Sequence, residues 1–172
     1  MSDALNRTCP VARALDLVGD RWSLLIVRDA FDGVRRFSDF QRSLGMSRSM
    51  LSQRLQALQD AGVLTQQAAA DGSRYHDYVL TAQGQALFPL VVALRQWGED
   101  YLFDAVEPRS QLRVISDGRA LAPLLPRDAD GRPVAAADTV VIKPVQEVRQ
   151  PSRSVLGNSG LLLTRMNAVN DS

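Results

Sequence analysis

Across residues 10–103 the apolar positions recur first at helical spacing, then at strand spacing, then at helical spacing again, and each change of period marks a boundary. Val11, Leu15 and Val18 share one face of PVARALDLVG, which opens on Pro10 and stops at Gly19, so a short helix is predicted there. Asp20 is placed to cap RWSLLIVRDAF, whose Trp22, Leu25 and Ile26 mark a second helix ended by Asp32-Gly33. Residues 34–37, VRRF, read as a short extended bridge.

From Ser38 to Leu58 the pattern is that of two short helices meeting at a tight turn. Ser38 is a candidate N-cap for the first, Phe40 and Leu44 fall on its buried face, and Gly45 permits the positive φ that such a turn needs. The second helix starts at Ser47 and carries Leu51, Leu55 and Leu58 on one stripe. Ser49, Gln53 and Gln56 then point the opposite way, flanked by Arg48 and Ser52. Beyond Ala61-Gly62 the spacing becomes that of strands in VLTQQ and YHDYVL, with Asp71-Gly72 between them as a hairpin signal.

Helical spacing returns at Thr81 and runs through TAQGQALFPLVVALRQWGEDYLF. Pro89 lacks the backbone donor, which predicts a kink near residues 85–89 inside one continuous element. Leu90, Leu94, Trp97 and Tyr101 form a stripe with Val91 beside it. A hairpin does not need so much apolar surface, so the stripe is to be buried on the rest of the fold or against the same helix of a second copy. The fold class that follows is mainly α with a small β-wing, a winged helix-turn-helix, over residues 1–103.

Residues 104–150 carry a small repeat, DGRALAP from Asp117 and DGRPVAAAD from Asp130. Each copy offers an Asp-Gly turn before a short apolar alternation, which predicts a small β-rich C-terminal extension of two hairpins or knuckles with VVIKP as a closing strand. It suits either a structural cap on a dimer or a ligand or partner site against the winged domain. Residues 151–172, rich in Ser, Asn and Gly, read as a disordered tail.

Composition narrows the chemistry. At 172 residues and 45% hydrophobic content, the chain can bury a core of one ordinary domain with an appendage. No apolar run approaches the roughly 20 residues that span a bilayer, and MSDALNRTCP has no secretory core, so the expected location is cytoplasmic. Cys9 and His76 are the only residues of their kinds, which leaves no internal disulfide, no metal site and no cofactor motif to expect. With no glycine-rich phosphate loop either, the chain is not expected to be an enzyme.

A net charge of +1 argues against sequence-blind binding of polyanions, so any nucleic-acid affinity has to come from local distribution. Between Arg35 and Arg74 six arginines face three acids, a balance of +3, which fits a DNA surface or a solvated face of mixed charge. An exposed side of Ser47, Arg48, Ser49, Ser52, Gln53 and Gln56 has the donors and acceptors to meet base edges and phosphates in a major groove. Arg54 lies toward the buried flank, where an internal hydrogen bond or a phosphate contact suits it better than base reading. Arg74 and His76 sit beside the wing tip, within reach of backbone or minor groove; His76 also reads as a plain exposed strand residue. Trp22, Phe31, Phe88 and Trp97 are candidate lining for an effector pocket between the two long helices of a dimer, or simply core. The rival class is a winged-helix protein-interaction module without DNA binding. Against it, the stretch from Ser47 to Gln59 contains no Asp or Glu.

Residues 7–103 resemble the HxlR-type branch of the winged helix-turn-helix regulators, which is similar in architecture to the MarR group. The blocks that carry the resemblance are Cys-Pro, Gly-Asp-Arg-Trp, Phe-Ser-Asp-Phe, Leu-Ser-Gln-Arg-Leu and Leu-Thr-Ala-Gln-Gly, in that order. The resemblance implies a homodimeric regulator, a repressor by expectation, on palindromic operator DNA. It maps the contacts to Ser47, Arg48, Ser49, Ser52, Gln53 and Arg54, with Arg74 from the wing. Two-fold pairing would set the two reading helices about one turn of DNA apart. Some members sense oxidants or electrophiles through one cysteine near the amino terminus, the place that Cys9 holds here. At the head of a helix, with Arg7 and Arg13 close in sequence, Cys9 is positioned for a stabilised thiolate, or it is an idle cap residue.

Overall fold

The computed structural model describes residues 8–69, 71–72 and 74–143. Helix α1, Pro10–Val18, begins with Cys9 as N-cap, its Sγ accepting from the Ala12 amide at 3.5 Å, and Pro10 fills a position where no amide is needed. Helix α2, Arg21–Phe31, is capped by Asp20, whose Oδ1 accepts from the amides of Trp22 and Ser23 at 3.0 and 3.1 Å. Helices α3, Phe37–Leu44, and α4, Arg48–Asp60, meet at Gly45, which adopts φ +64 in the left-handed region as the turn demands. Strands β1, Leu64–Ala68, and β2, His76–Leu80, pair antiparallel with Leu64 opposite Leu80 and Ala68 opposite His76.

One core holds these elements in place. Ile26 and Val27 from α2, Phe40 from α3, and Leu51, Leu55 and Leu58 from α4 are buried together with Val63 and Leu64 at the start of the hairpin. Phe40 meets Tyr78 of β2 edge-on, with ring centroids 6.4 Å apart, so the helix pair and the hairpin share one aromatic contact. The winged helix-turn-helix is therefore the fold that the periodicity predicted.

Three local expectations fail, each for a physical reason. The first is the start of α3. Its N-cap is Arg36 and not Ser38, which lies in the first turn. The ladder sets that start, because the Tyr78 amide donates to the Arg35 carbonyl at 2.9 Å and holds the bridge extended up to Arg36. Arg36 then offers its own carbonyl to the amides of Asp39 and Phe40.

The second is the kink, which is a break. Helix α5, Ala82–Gln85, ends before a turn at Ala86 and Leu87, and α6, Phe88–Tyr101, starts anew with Pro89 in its first turn. A continuous helix would have needed an amide from Pro89 to the Gln85 carbonyl and would have pressed the ring against it. Thr81 fixes α5 on the hairpin instead, donating from Oγ1 to the Gly62 carbonyl at 2.6 Å and accepting from the Gly84 amide at 3.1 Å. Gly84 is required there, since a Cβ would collide with the Val63 carbonyl.

The third concerns the extension. Two knuckles form at the predicted turns, with bridges from Arg113 to Ala120 and from Arg127 to Pro133 around Gly118 and Gly131 at positive φ. The closing strand does not form in its described part, where residues 140–143 have no regular structure and follow a short 3-10 turn at Ala136–Asp138. Pro144 and the 151–172 tail lie outside the described residues. The extension belongs to the same compact unit as the helices, which ends at Ile142. Gln96 of α6 clasps it, donating to the Ala122 carbonyl at 2.9 Å and accepting from the Leu124 amide at 2.8 Å.

Burial leaves a large apolar surface uncovered. Val11, Leu15 and Leu17 of α1 and Leu90, Leu94, Trp97 and Tyr101 of α6 are all exposed, whereas Val91 packs on the core. Among the described residues no helix is long and apolar enough to cross a membrane.

Candidate nucleic-acid interface

The leucine stripe of α4 fixes what its other side can do. With Leu51, Leu55 and Leu58 facing the core, Ser49, Ser52, Gln53 and Gln56 are turned to solvent and line one shallow depression together with Met50. Ser47 is the N-cap, its Oγ accepting from the Met50 amide at 3.3 Å and lying 3.3 Å from Ser49 Oγ. Gln56 is steadied by donating to Asp60 Oδ1 at 2.8 Å.

Arg48, Arg74 and His76 form a second group. They line a cleft of about 870 Å³ between the start of α4 and the hairpin, and Gln66 and Tyr75 line it with them. Arg48 lies over the Phe37 ring, 5.4 Å from its centroid, which keeps the guanidinium near the cleft. The hairpin wall is held by Arg36, which pairs with Asp71 at 2.8 Å and with Asp77 at 2.9 Å. This guanidinium ties the turn to the tip-side end of β2.

Arg54 belongs to neither group. It pairs with Asp20 Oδ2 at 3.5 Å. Asp20 therefore both caps α2 and holds α4. Burial raises its carboxyl pKa, but the Ser23 hydroxyl and amide, the Arg54 charge and the Trp22 amide outweigh that and hold it below the ordinary 3.8. The folded-state value is depressed, so this contribution to stability is present above pH 3.8 and is lost as pH falls through the folded value.

Cys9 is half-buried at the head of α1. Phe31 and Phe88 meet edge-on at 5.1 Å, Trp97 lies on Tyr101 at 5.7 Å, and Trp22 packs against the core under Arg21. The cavity between α2 and α6 is lined by Leu24, Leu25, Val91 and Leu94. Arg36, Met50 and Tyr75 enter the two surfaces without having been foreseen. For Met50 a signal existed in its position three residues before Gln53, whereas Arg36 and Tyr75 depend on how the hairpin docks. Among the described residues no group of His, Cys, Asp and Glu could hold a metal ion.

The comparisons with known proteins agree with this fold. The HxlR-like helix-turn-helix family matches residues 17–107. Rv3095 of Mycobacterium tuberculosis, an uncharacterised HTH-type transcriptional regulator, is 44% identical over 115 residues, or 67% of this chain and 73% of that protein. The crystal structure of PA1607, a candidate transcription factor, is 48% identical and superposes with a TM-score of 0.76, covering 82% of this chain and 99% of its own. The redox regulator HypR in its oxidised form is 30% identical with a TM-score of 0.50, over 56% of this chain and 100% of its own. The chain thus belongs to the HxlR-like helix-turn-helix family and is a DNA-binding transcriptional regulator.

Proposed function

We propose that the protein is a homodimeric repressor that reads a palindromic operator with α4 in the major groove and sets its hairpin on the backbone or minor groove. The observation that carries this is the solvent face of α4, where hydroxyls and amides stand out between buried leucines and no acid interrupts them before Asp60. Ser49, Ser52, Gln53 and Gln56 are the base readers, Ser47 and Arg48 grip phosphate at the helix start, and Arg74 with His76 continues the contact along the cleft. Arg54 acts from behind as a positioning residue. The exposed faces of α1 and α6 support pairing with a second copy.

The test is binding to the promoter DNA upstream of the protein's own gene, titrated against salt. Gln53→Ala and Arg48→Ala should each weaken specific binding by about 1 to 3 kcal/mol, and only Arg48→Ala should flatten the salt slope. Unchanged affinity in both would remove α4 from the groove and favour an interaction module.

A switch at Cys9 is the finer part of the reading. It is supported by the half-buried thiol at a helix head and by the likeness to HypR, itself a redox regulator. Peroxide would convert the thiolate to a sulfenic acid, which a thiol could condense to a mixed disulfide or to a bond with the second subunit. Peroxide should lower operator affinity of the wild type and leave Cys9→Ser unaffected; an equal response in both ends the idea.

A further inference from the structure

We propose that Met50 is the side chain by which α4 selects thymine, closing on the C5-methyl group of one thymine in each half of the operator. The inference rests on the operator reading and adds to it the chemistry of one base contact.

The core does not require this methionine. Met46, in the turn before α4, is 4% exposed and belongs to the core, whereas Met50 is 43% exposed. The leucine stripe explains the difference. With Leu51, Leu55 and Leu58 turned inward, Met50 falls about 100° from Leu51 and about 60° from Gln53 around the helix. It therefore lines the solvent-side depression with Ser49, Ser52, Gln53 and Gln56, and it is the apolar member among them.

A major groove offers one group that matches such a side chain. The base edges present hydrogen-bond donors and acceptors, and the C5-methyl of thymine is the apolar feature between them. Against a donor or an acceptor, Met50 would displace water and return only the weak acceptor of its sulfur. Against the methyl group it buries apolar surface on both partners, and its three rotatable bonds let it follow the base edge.

The neighbours keep the position open. Ser47 Oγ accepts from the Met50 amide at 3.3 Å, so the cap holds the backbone while the side chain stays outside. Gln56 donates to Asp60, further along the helix. Among the described residues Gln53 has no hydrogen-bond partner, so both ends of its amide are available to a base, and adenine is the base that matches them. Side chains three residues apart on a helix start about 5 to 6 Å from each other, against a rise of about 3.4 Å per base. The thymine that Met50 selects therefore lies within about two base pairs of the base that Gln53 reads.

The experiment uses the full chain and a synthetic duplex of the promoter DNA upstream of its own gene, in which thymine is the sole source of such a methyl group. Each thymine is replaced in turn by deoxyuridine, at the matching place in both half-sites, and binding is followed by fluorescence anisotropy at fixed salt. At one position the wild type should lose about fourfold in affinity per methyl group, or about 15-fold over the two half-sites. Met50→Ala should bind the thymine duplex more weakly and show no further loss on the uracil duplex. Gln53→Ala should also bind more weakly, yet keep the loss at that position. Each readout is a ratio between two duplexes on one variant, so a change in stability does not move it. Met50→Ala should in any case keep its thermal midpoint, because the side chain lies outside the core and alanine favours a helix. Binding that no uracil replacement weakens, or an undiminished loss in Met50→Ala, overturns the proposal and leaves the operator reading standing. A chain with no specific affinity for the promoter duplex refutes the operator reading, and the Met50 assignment with it.

Discussion

Phe40→Ala is expected to destabilise the protein by about 3 to 5 kcal/mol, the range for removing a fully buried aromatic ring. Phe40 has 0% of its surface exposed. Its ring lies where α3 and β2 converge against the leucine stripe of α4, so no neighbour can collapse into the gap without moving another element. Domains of this kind hold a net stability of about 5 to 15 kcal/mol, so one side chain takes a large share of it. Urea unfolding followed by circular dichroism measures the effect, and the midpoint should fall while the denaturant slope stays constant. A loss below about 1 kcal/mol would mean that the site relaxes, contrary to the packing described.

Trp97→Glu combined with Tyr101→Glu is expected to leave the chain folded and to lower operator affinity by a factor of about 10² or more, the advantage that linked half-sites confer. Trp97 is 56% and Tyr101 73% exposed in the single chain, so neither replacement empties a core position. Their rings lie 5.7 Å apart on the outer face of α6, and two added carboxylates per chain would oppose any pairing of that face. Sedimentation equilibrium and DNA binding, measured on the same sample, decide the matter. A dimer that persists in the double variant would move the subunit contact away from α6.

The helix-turn-helix was legible because its determinants are local. Gly45 permits the turn, Ser47 caps the helix after it, and Leu51, Leu55 and Leu58 leave α4 one way to face the core. Asp71-Gly72 marked the hairpin by the same kind of short-range chemistry, with Gly72 at φ +72. What escaped was set by partners distant in sequence. Ser38 resembles a cap, yet α3 begins earlier because Tyr78 bonds to Arg35 across the chain. Pro89 was visible, but whether it bends a helix or opens one depended on Thr81 fixing the preceding turn to Gly62.

The double grip of Arg36 on Asp71 and Asp77 bears on how the wing meets a polyelectrolyte. On the proposed operator reading, Asp71 at the tip would repel phosphate, but Arg36 pairs with it, which favours the approach of Arg74 to the duplex. Arg36 cannot serve both masters. On the proposed operator reading, a duplex that drew this guanidinium onto its own backbone would draw it from Asp71 and Asp77, so the wing's approach to phosphate competes with ion pairs inside the protein.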